Sequence, residues 1–105
     1  MKVSDLKNLF NQNIDISKFR ESIQNETSHY KQQLMKVGST APIVVEEDAS
    51  FCFTEKHLIC LQGLLQSKSL SDIEVSYIAD AITLADSINI ETEELFDAIE
   101  LLIID

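Results

Sequence analysis

Hydrophobic residues recur at helical spacing along most of the chain, separated by short polar stretches. Near the start, Leu6, Leu9 and Phe10 fall on one helical face. They predict a short first helix, and Ser4 is placed to cap it.

A second, longer helix is predicted over residues 16–37, because its apolar residues return to one face. These residues are Ile16, Phe19, Ile23, Tyr30, Leu34 and Val37. No apolar residue falls on that face over 25–28, so we expect the helix to bend or divide there. Gly38 follows as a left-handed helix cap.

Residues 39–53 show no clear period. Pro42 biases the residue before it towards extended geometry. The run 43–45 allows a short strand, a buried extended link or one helical turn. Because 51–53 alternates weakly, a small hairpin between 43–45 and 51–53 is one further interpretation.

Two more helices are marked by their first residues. Thr54 is a favourable cap for a third helix ending near 67–69. Its apolar residues are crowded, so we expect burial on most sides, with Gly63 letting a neighbouring helix come close. The sequence Ser71-x-x-Glu74 is a capping box that opens a fourth helix.

The last two helices are predicted to be amphipathic. The core side of the fourth carries Ile78, Ala81, Ile82 and Ala85, and its polar stripe carries Asp72, Ser76, Asp80, Thr83 and Ser87. Asn89 suits its end, and Glu91 is placed to cap the fifth helix. In that fifth helix Leu95, Phe96, Ile99, Leu102 and Ile103 face inward, while Glu93, Asp97 and Glu100 face outward.

Composition favours the same architecture. The chain of 105 residues has only two Gly and one Pro, which favours a few long elements over many short strands. We therefore predict a single domain, residues 1–105, with an all-α fold. It would be a compact bundle of about five helices, with a short extended segment near 40–53 as an option.

Neither a membrane nor a secretory protein is predicted. No apolar run is long enough for a membrane span or a signal peptide, and the two cysteines favour a reduced, cytoplasmic setting. Cys52, His57 and Cys60 form a weak zinc pattern. We interpret Cys60 as a core residue and His57 as a surface residue, and predict no metal and no cofactor.

Charge is distributed unevenly along the chain. The net charge is −10, yet residues 1–68 hold all eight Lys and Arg together with eight of the 18 acids. The excess therefore belongs to the last third, where no base follows Lys68. Such acidity favours a cationic partner and disfavours direct contact with nucleic acid or anionic membranes. Asp97 and Glu100 lie where the helix dipole disfavours a carboxylate, so structure explains them poorly.

Catalysis is not predicted. A general acid needs a perturbed pKa, and these carboxylates are expected on a solvated face. The run Asp86-Ser87-Ile88 resembles the D-S-L of acyl carrier proteins, in which the serine carries phosphopantetheine. Here no glycine precedes Asp86, and Ser87 falls at a predicted helix end rather than a start. Modification at Ser87 is therefore a minor alternative.

A longer run carries a different resemblance. Residues 51–86 read F-C-F-T-E-K-H-L-I-C-L-Q-G-L-L-Q-S-K-S-L-S-D-I-E-V-S-Y-I-A-D-A-I-T-L-A-D. The aromatic start, the Leu/Cys-rich helix, the polar break and the Y-I-A-D-A helix resemble small bacterial immunity proteins of contact-dependent growth inhibition and colicin-like systems. The resemblance implies neutralisation of a cognate toxin, commonly a basic nuclease, inside the producing cell.

We accordingly predict an immunity protein and not an enzyme. Its acidic helices, 72–87 and 91–104, would cover a basic toxin surface, with carboxylates in the electrostatic role of nucleic-acid phosphates. The candidate partner-binding residues are Asp72, Asp80, Glu93, Asp97 and Glu100. The alternative is a helical adaptor or regulatory binding module, which predicts an exposed apolar groove and a constitutive partner.

Overall fold

The computed structural model describes residues 1–36 and 43–104. In chain order the elements are α1 (Val3–Phe10), α2 (Ile16–Leu34), β1 (Phe51–Phe53), α3 (Glu55–Gln66), α4 (Asp72–Leu84), β2 (Ile88–Ile90) and α5 (Glu93–Glu100). The fold is mainly helical, as predicted, but it also contains a small sheet. The predicted cap at Gly38 lies outside the described residues. None of the described helices combines the length and apolarity that crossing a membrane requires.

Helix α4 lies at the centre of the fold, packed against α2, α3, α5 and β2. Its buried residues are Glu74, Val75, Ser76, Tyr77, Ile78, Ala79, Ala81 and Ile82. The predicted core side is confirmed, but the predicted polar stripe is wrong. Ser76 is fully buried, Asp80, Thr83 and Ser87 are half-buried, and only Asp72 is exposed. A helix contacted from several sides has no broad solvent face.

The predicted capping box opens α4. The Ser71 hydroxyl oxygen accepts the Glu74 N–H at 3.2 Å, and Glu74 Oε1 accepts the Ser71 N–H at 2.8 Å. Glu74 Oε2 accepts a hydrogen bond from Arg20 Nε at 2.9 Å, which ties α4 to α2. Burial favours a higher pKa for Glu74, but the hydrogen bonds from Arg20 and Ser71 outweigh it, and the pKa is lowered.

Tyr77 joins α4 to α2 and to the segment before β1. Its hydroxyl lies 2.5 Å from Glu26 Oε2 and accepts the Val44 N–H at 3.2 Å. The same Glu26 carboxylate pairs with the amino group of Met1. Burial, followed by the hydrogen bond to Glu26, raises the pKa of Tyr77 above its usual value, so the phenol keeps its proton.

Ser76 makes a second buried connection. Its hydroxyl lies 2.7 Å from the Tyr30 hydroxyl of α2 and accepts the Ile104 N–H at 2.8 Å. A small polar residue in the core therefore fixes the chain that follows α5. Buried hydroxyls are stable when they are hydrogen-bonded in this way.

The sheet differs from the predicted hairpin. Strands β1 and β2 are parallel, with Phe51 opposite Ile88, Cys52 opposite Asn89 and Phe53 opposite Ile90. Pairing of 51–53 with 43–45 is therefore wrong, and Asn89 belongs to a strand rather than a helix end. Glu46, in the segment before β1, instead forms an isolated parallel bridge with Lys2, the residue that precedes α1. Parallel strands need a long crossover, and α3 and α4 supply it.

Helix α2 continues without a break through 25–28, so the predicted division there is wrong. Thr27 is buried there, and its hydroxyl donates to the carbonyls of Ile23 or Gln24 in the preceding turn. A threonine that satisfies its hydroxyl within the helix can occupy an inward position without an apolar neighbour. The spacing of apolar residues alone does not reveal this inward position of Thr27.

Helix α3 is less buried than predicted. Of its apolar residues only Leu58 and Leu61 are buried, and Ile59 is 60% exposed. Among the residues that the structure describes, no atom of a neighbouring element lies within 4 Å of the position that a Cβ on Gly63 would take. The predicted close approach at Gly63 is therefore wrong. One side of α3 faces solvent.

Candidate partner-binding face

Helix α5 begins one residue later than the sequence predicts. The Glu91 N–H donates to the Phe53 carbonyl at 3.1 Å, so Glu91 extends the sheet pairing and does not cap the helix. Thr92 caps instead, because its hydroxyl oxygen accepts the Leu95 N–H at 3.2 Å. Glu93 and Glu94 then occupy the first turn, where the helix dipole favours carboxylates. The predicted cap of α1 is also wrong. The Ser4 hydroxyl donates to Asp48, and Lys2 occupies the cap position.

The inward side of α5 is narrow. Leu95 and Ile99 are buried, whereas Phe96 is 37% exposed and its predicted inward position is wrong. Leu101, which ends the helix, is 86% exposed. Helical geometry places Glu93, Asp97 and Glu100 in a central outward row, with Phe96 at one margin and Leu101 at the other. We call these five residues the α5 face.

The carboxylates of the α5 face have no basic neighbours in sequence. The ion pairs within residues 1–36 and 43–104 are Met1 with Glu26 and Arg20 with Glu74, and neither involves the α5 face. Glu93, Asp97 and Glu100 are all exposed. Their charges are therefore solvated and free to interact with an external cation.

Two grooves flank the start of α5. Glu55, Leu58, Glu91, Thr92, Glu94 and Leu95 line the first, which has a volume of about 320 Å³. Ile90, Glu91, Thr92, Glu93 and Phe96 line the second, of about 420 Å³. Glu55 comes from α3, in the part of the chain whose charges balance. Only tertiary packing could bring it beside Glu91 and Glu94.

The five predicted partner-binding residues differ in exposure and in their local surroundings. Glu93, Asp97 and Glu100 lie together on the α5 face, as expected. Asp72 is exposed at the start of α4, where it lines a groove with the basic residues Arg20 and Lys68. Asp80 is half-buried, and burial raises the pKa of its carboxyl.

The cysteine and histidine residues do not assemble a site. His57 is half-buried against the rings of Phe10, Phe51 and Phe53, so its predicted surface position is wrong. Cys60 is half-buried, and burial raises the pKa of its thiol. In the described part of the chain, no three His, Cys, Asp or Glu residues are grouped closely enough to hold a metal ion.

No protein-family model matches the chain, and no curated protein or solved structure is significantly similar to it.

Proposed function

We propose that the protein is an immunity protein that binds and neutralises a basic bacterial toxin domain through the α5 face. A nuclease is the favoured toxin class, and the cytoplasm of the producing cell is the proposed location. The observation that carries the proposal is the row of exposed, unpaired carboxylates on α5. The immunity-protein resemblance of residues 51–86 supplies the biological context.

The physical argument concerns charge. Exposed like charges on one helix repel one another, and this repulsion lowers the stability of the folded chain. A cationic partner removes that cost, and long-range attraction speeds its encounter with the acidic face. A nuclease that grips a phosphate backbone offers a cationic surface of this kind. The proposal requires inhibition by binding, with no catalysis and no cofactor.

The first test is rescue from toxicity. The C-terminal region of the protein encoded immediately upstream would be expressed with and without this chain, and growth and binding affinity would be measured. We expect growth to be restored by the chain, with binding that weakens as salt is raised. The double variant Asp97→Lys and Glu100→Lys should slow association and flatten its salt dependence.

The matched control is Glu21→Lys with Glu46→Lys, which changes the net charge equally at exposed positions on α2 and before β1. The control should keep most of the wild-type association rate. Toxicity without rescue by the wild-type chain would contradict the proposed function for that pair. Equal effects of the two double variants would show that only net charge matters.

A helical adaptor is the second candidate, and one observation favours it. Phe96, Leu101 and Ile104 are exposed apolar residues close together in sequence, as a constitutive docking surface requires. An adaptor would co-purify with a host protein from cells that lack the toxin gene, whereas an immunity protein would not. The carrier alternative gains no support, because Ser87 lies in the turn before β2 with a buried hydroxyl oxygen.

A further inference from the structure

The α5 face combines clustered negative charge with exposed apolar surface. Its central carboxylates are unpaired, and its margins expose apolar surface at Phe96 and Leu101. Solvated acids alone would serve solubility, and they do not need aromatic or aliphatic neighbours. Apolar side chains beside a row of charges are instead typical of a surface that a partner covers.

The groove beside the acid row gives this surface a shape. Ile90 of β2 and Phe96 of α5 line it together with Glu91, Thr92 and Glu93. The groove is shallow and open to solvent, with a volume of about 420 Å³, so a partner's apolar side chain could lie against its floor. An occupant that fits must therefore present apolar side chains next to positive charge.

The charge pattern selects among the candidate occupants. A second copy of this chain on a symmetric contact would bring Glu93, Asp97 and Glu100 against the same three acids, which is strongly repulsive. Nucleic acid is repelled for the same reason. A cationic polypeptide satisfies both the carboxylates and the apolar margins.

We propose that Ile90, Phe96 and Leu101 are the apolar part of a docking site for a cationic amphipathic segment of a protein partner. Lys or Arg residues of the segment pair with Glu93, Asp97 and Glu100, and an apolar side chain enters the groove between Ile90 and Phe96. The identity of the face rests on the proposed function. The apolar requirement is an addition to it.

Two synthetic peptides separate this proposal from charge attraction alone. One is a Lys/Leu peptide with Leu at helical three- and four-residue spacing, and the other is oligolysine with the same number of lysines. Binding to the full chain would be measured by fluorescence anisotropy at moderate salt. We expect the Lys/Leu peptide to bind at least about tenfold more tightly than oligolysine. Phe96→Ser should weaken the affinity for the Lys/Leu peptide about tenfold.

The control variant is Met35→Ser, which removes an exposed apolar side chain at the end of α2, where Met35 is 79% exposed against 37% for Phe96. It should leave peptide affinity unchanged, and circular dichroism should show that both variants stay folded. Equal binding of the two peptides, or equal losses in the two variants, would overturn the proposal. Dimerisation of the wild-type chain that Phe96→Ser abolishes would overturn it in favour of a second copy.

The rescue assay keeps this proposal distinct from the proposed function. If the wild-type chain rescues growth and Phe96→Ser rescues equally with unchanged toxin affinity, the apolar requirement is wrong and the immunity role stands. If the wild-type chain binds the Lys/Leu peptide through Phe96 but rescues no growth, the docking site stands and the immunity role fails.

Discussion

His57 shows at the residue scale how tertiary contacts replace a local role. Its Nδ1 accepts the Thr54 N–H at 2.9 Å, which completes a capping box at the start of α3. Three phenylalanine rings surround the imidazole. Burial lowers the pKa of His57, and a positive charge there would also oppose the helix dipole. The folded chain therefore favours neutral His57.

This arrangement predicts a pH dependence of stability. Because the pKa of His57 is lower in the folded chain than in the unfolded chain, its contribution is complete above about pH 6.5 and is lost as pH falls from there. Protonation also removes the acceptor for Thr54. The free energy of unfolding, measured by urea denaturation between pH 7.5 and 5.5, should fall more for wild type than for His57→Gln, which keeps an acceptor. Parallel pH profiles of the two proteins would contradict it.

At the element scale, α4 organises the fold through buried polar groups as well as apolar ones. Glu74, Ser76 and Tyr77 contact Arg20, Tyr30 and Glu26 of α2, respectively. These three contacts start from one turn of α4 and reach separate positions along α2, so they fix the rotation and position of α4 against α2. Apolar packing alone specifies such a register less sharply.

The Tyr77 contacts give a direct test. Tyr77→Phe keeps the ring but removes the hydroxyl that binds Glu26 and Val44, so the half-buried Glu26 carboxylate keeps Met1 but loses its hydrogen bond from Tyr77. We expect the free energy of unfolding to fall by about 1–3 kcal/mol. Ser22→Ala, which removes an exposed hydroxyl bonded only within α2, should change it by less than about 0.5 kcal/mol. A Tyr77→Phe variant as stable as wild type would show that the network does not stabilise the fold.

For the whole molecule, the uneven charge distribution opposes folding. The acids of α5 repel one another, and Asp97 and Glu100 also lie towards the negative end of the helix. The two ion pairs of the described residues involve Met1 or Glu74, which are mostly buried, so salt screens them less. Added salt should therefore weaken the repulsion between the α5 acids more than it weakens the attraction within the two ion pairs.

This balance is measurable by thermal denaturation at low and high NaCl. We expect the melting temperature to rise with salt for wild type. Asp97→Asn with Glu100→Gln should raise the free energy of unfolding at low salt by about 0.5–1 kcal/mol, with the gain disappearing at high salt. Glu21→Gln with Glu46→Gln should give a smaller gain. A destabilised α5 variant would mean that these acids serve the fold and not a partner.

The candidate site shows where prediction from sequence stops. Glu93, Asp97 and Glu100 were found because helical spacing alone places them on one face. Asp80 was misjudged because its burial depends on helices that approach from other parts of the chain. The sequence does not indicate Phe96 or Glu55 as site residues, since nothing in their local sequence shows which other elements lie beside them.

The sequence by itself determined the helices, the caps at Thr54 and Ser71, and the segregation of charge into the last third. These properties depend on contacts between residues a few positions apart, which periodicity and capping chemistry record. The tertiary structure alone decided that Phe51–Phe53 pairs with Ile88–Ile90, that Ser76 is buried and that Phe96 is exposed. Those outcomes depend on which elements meet, and a local pattern of apolar residues is compatible with several partners.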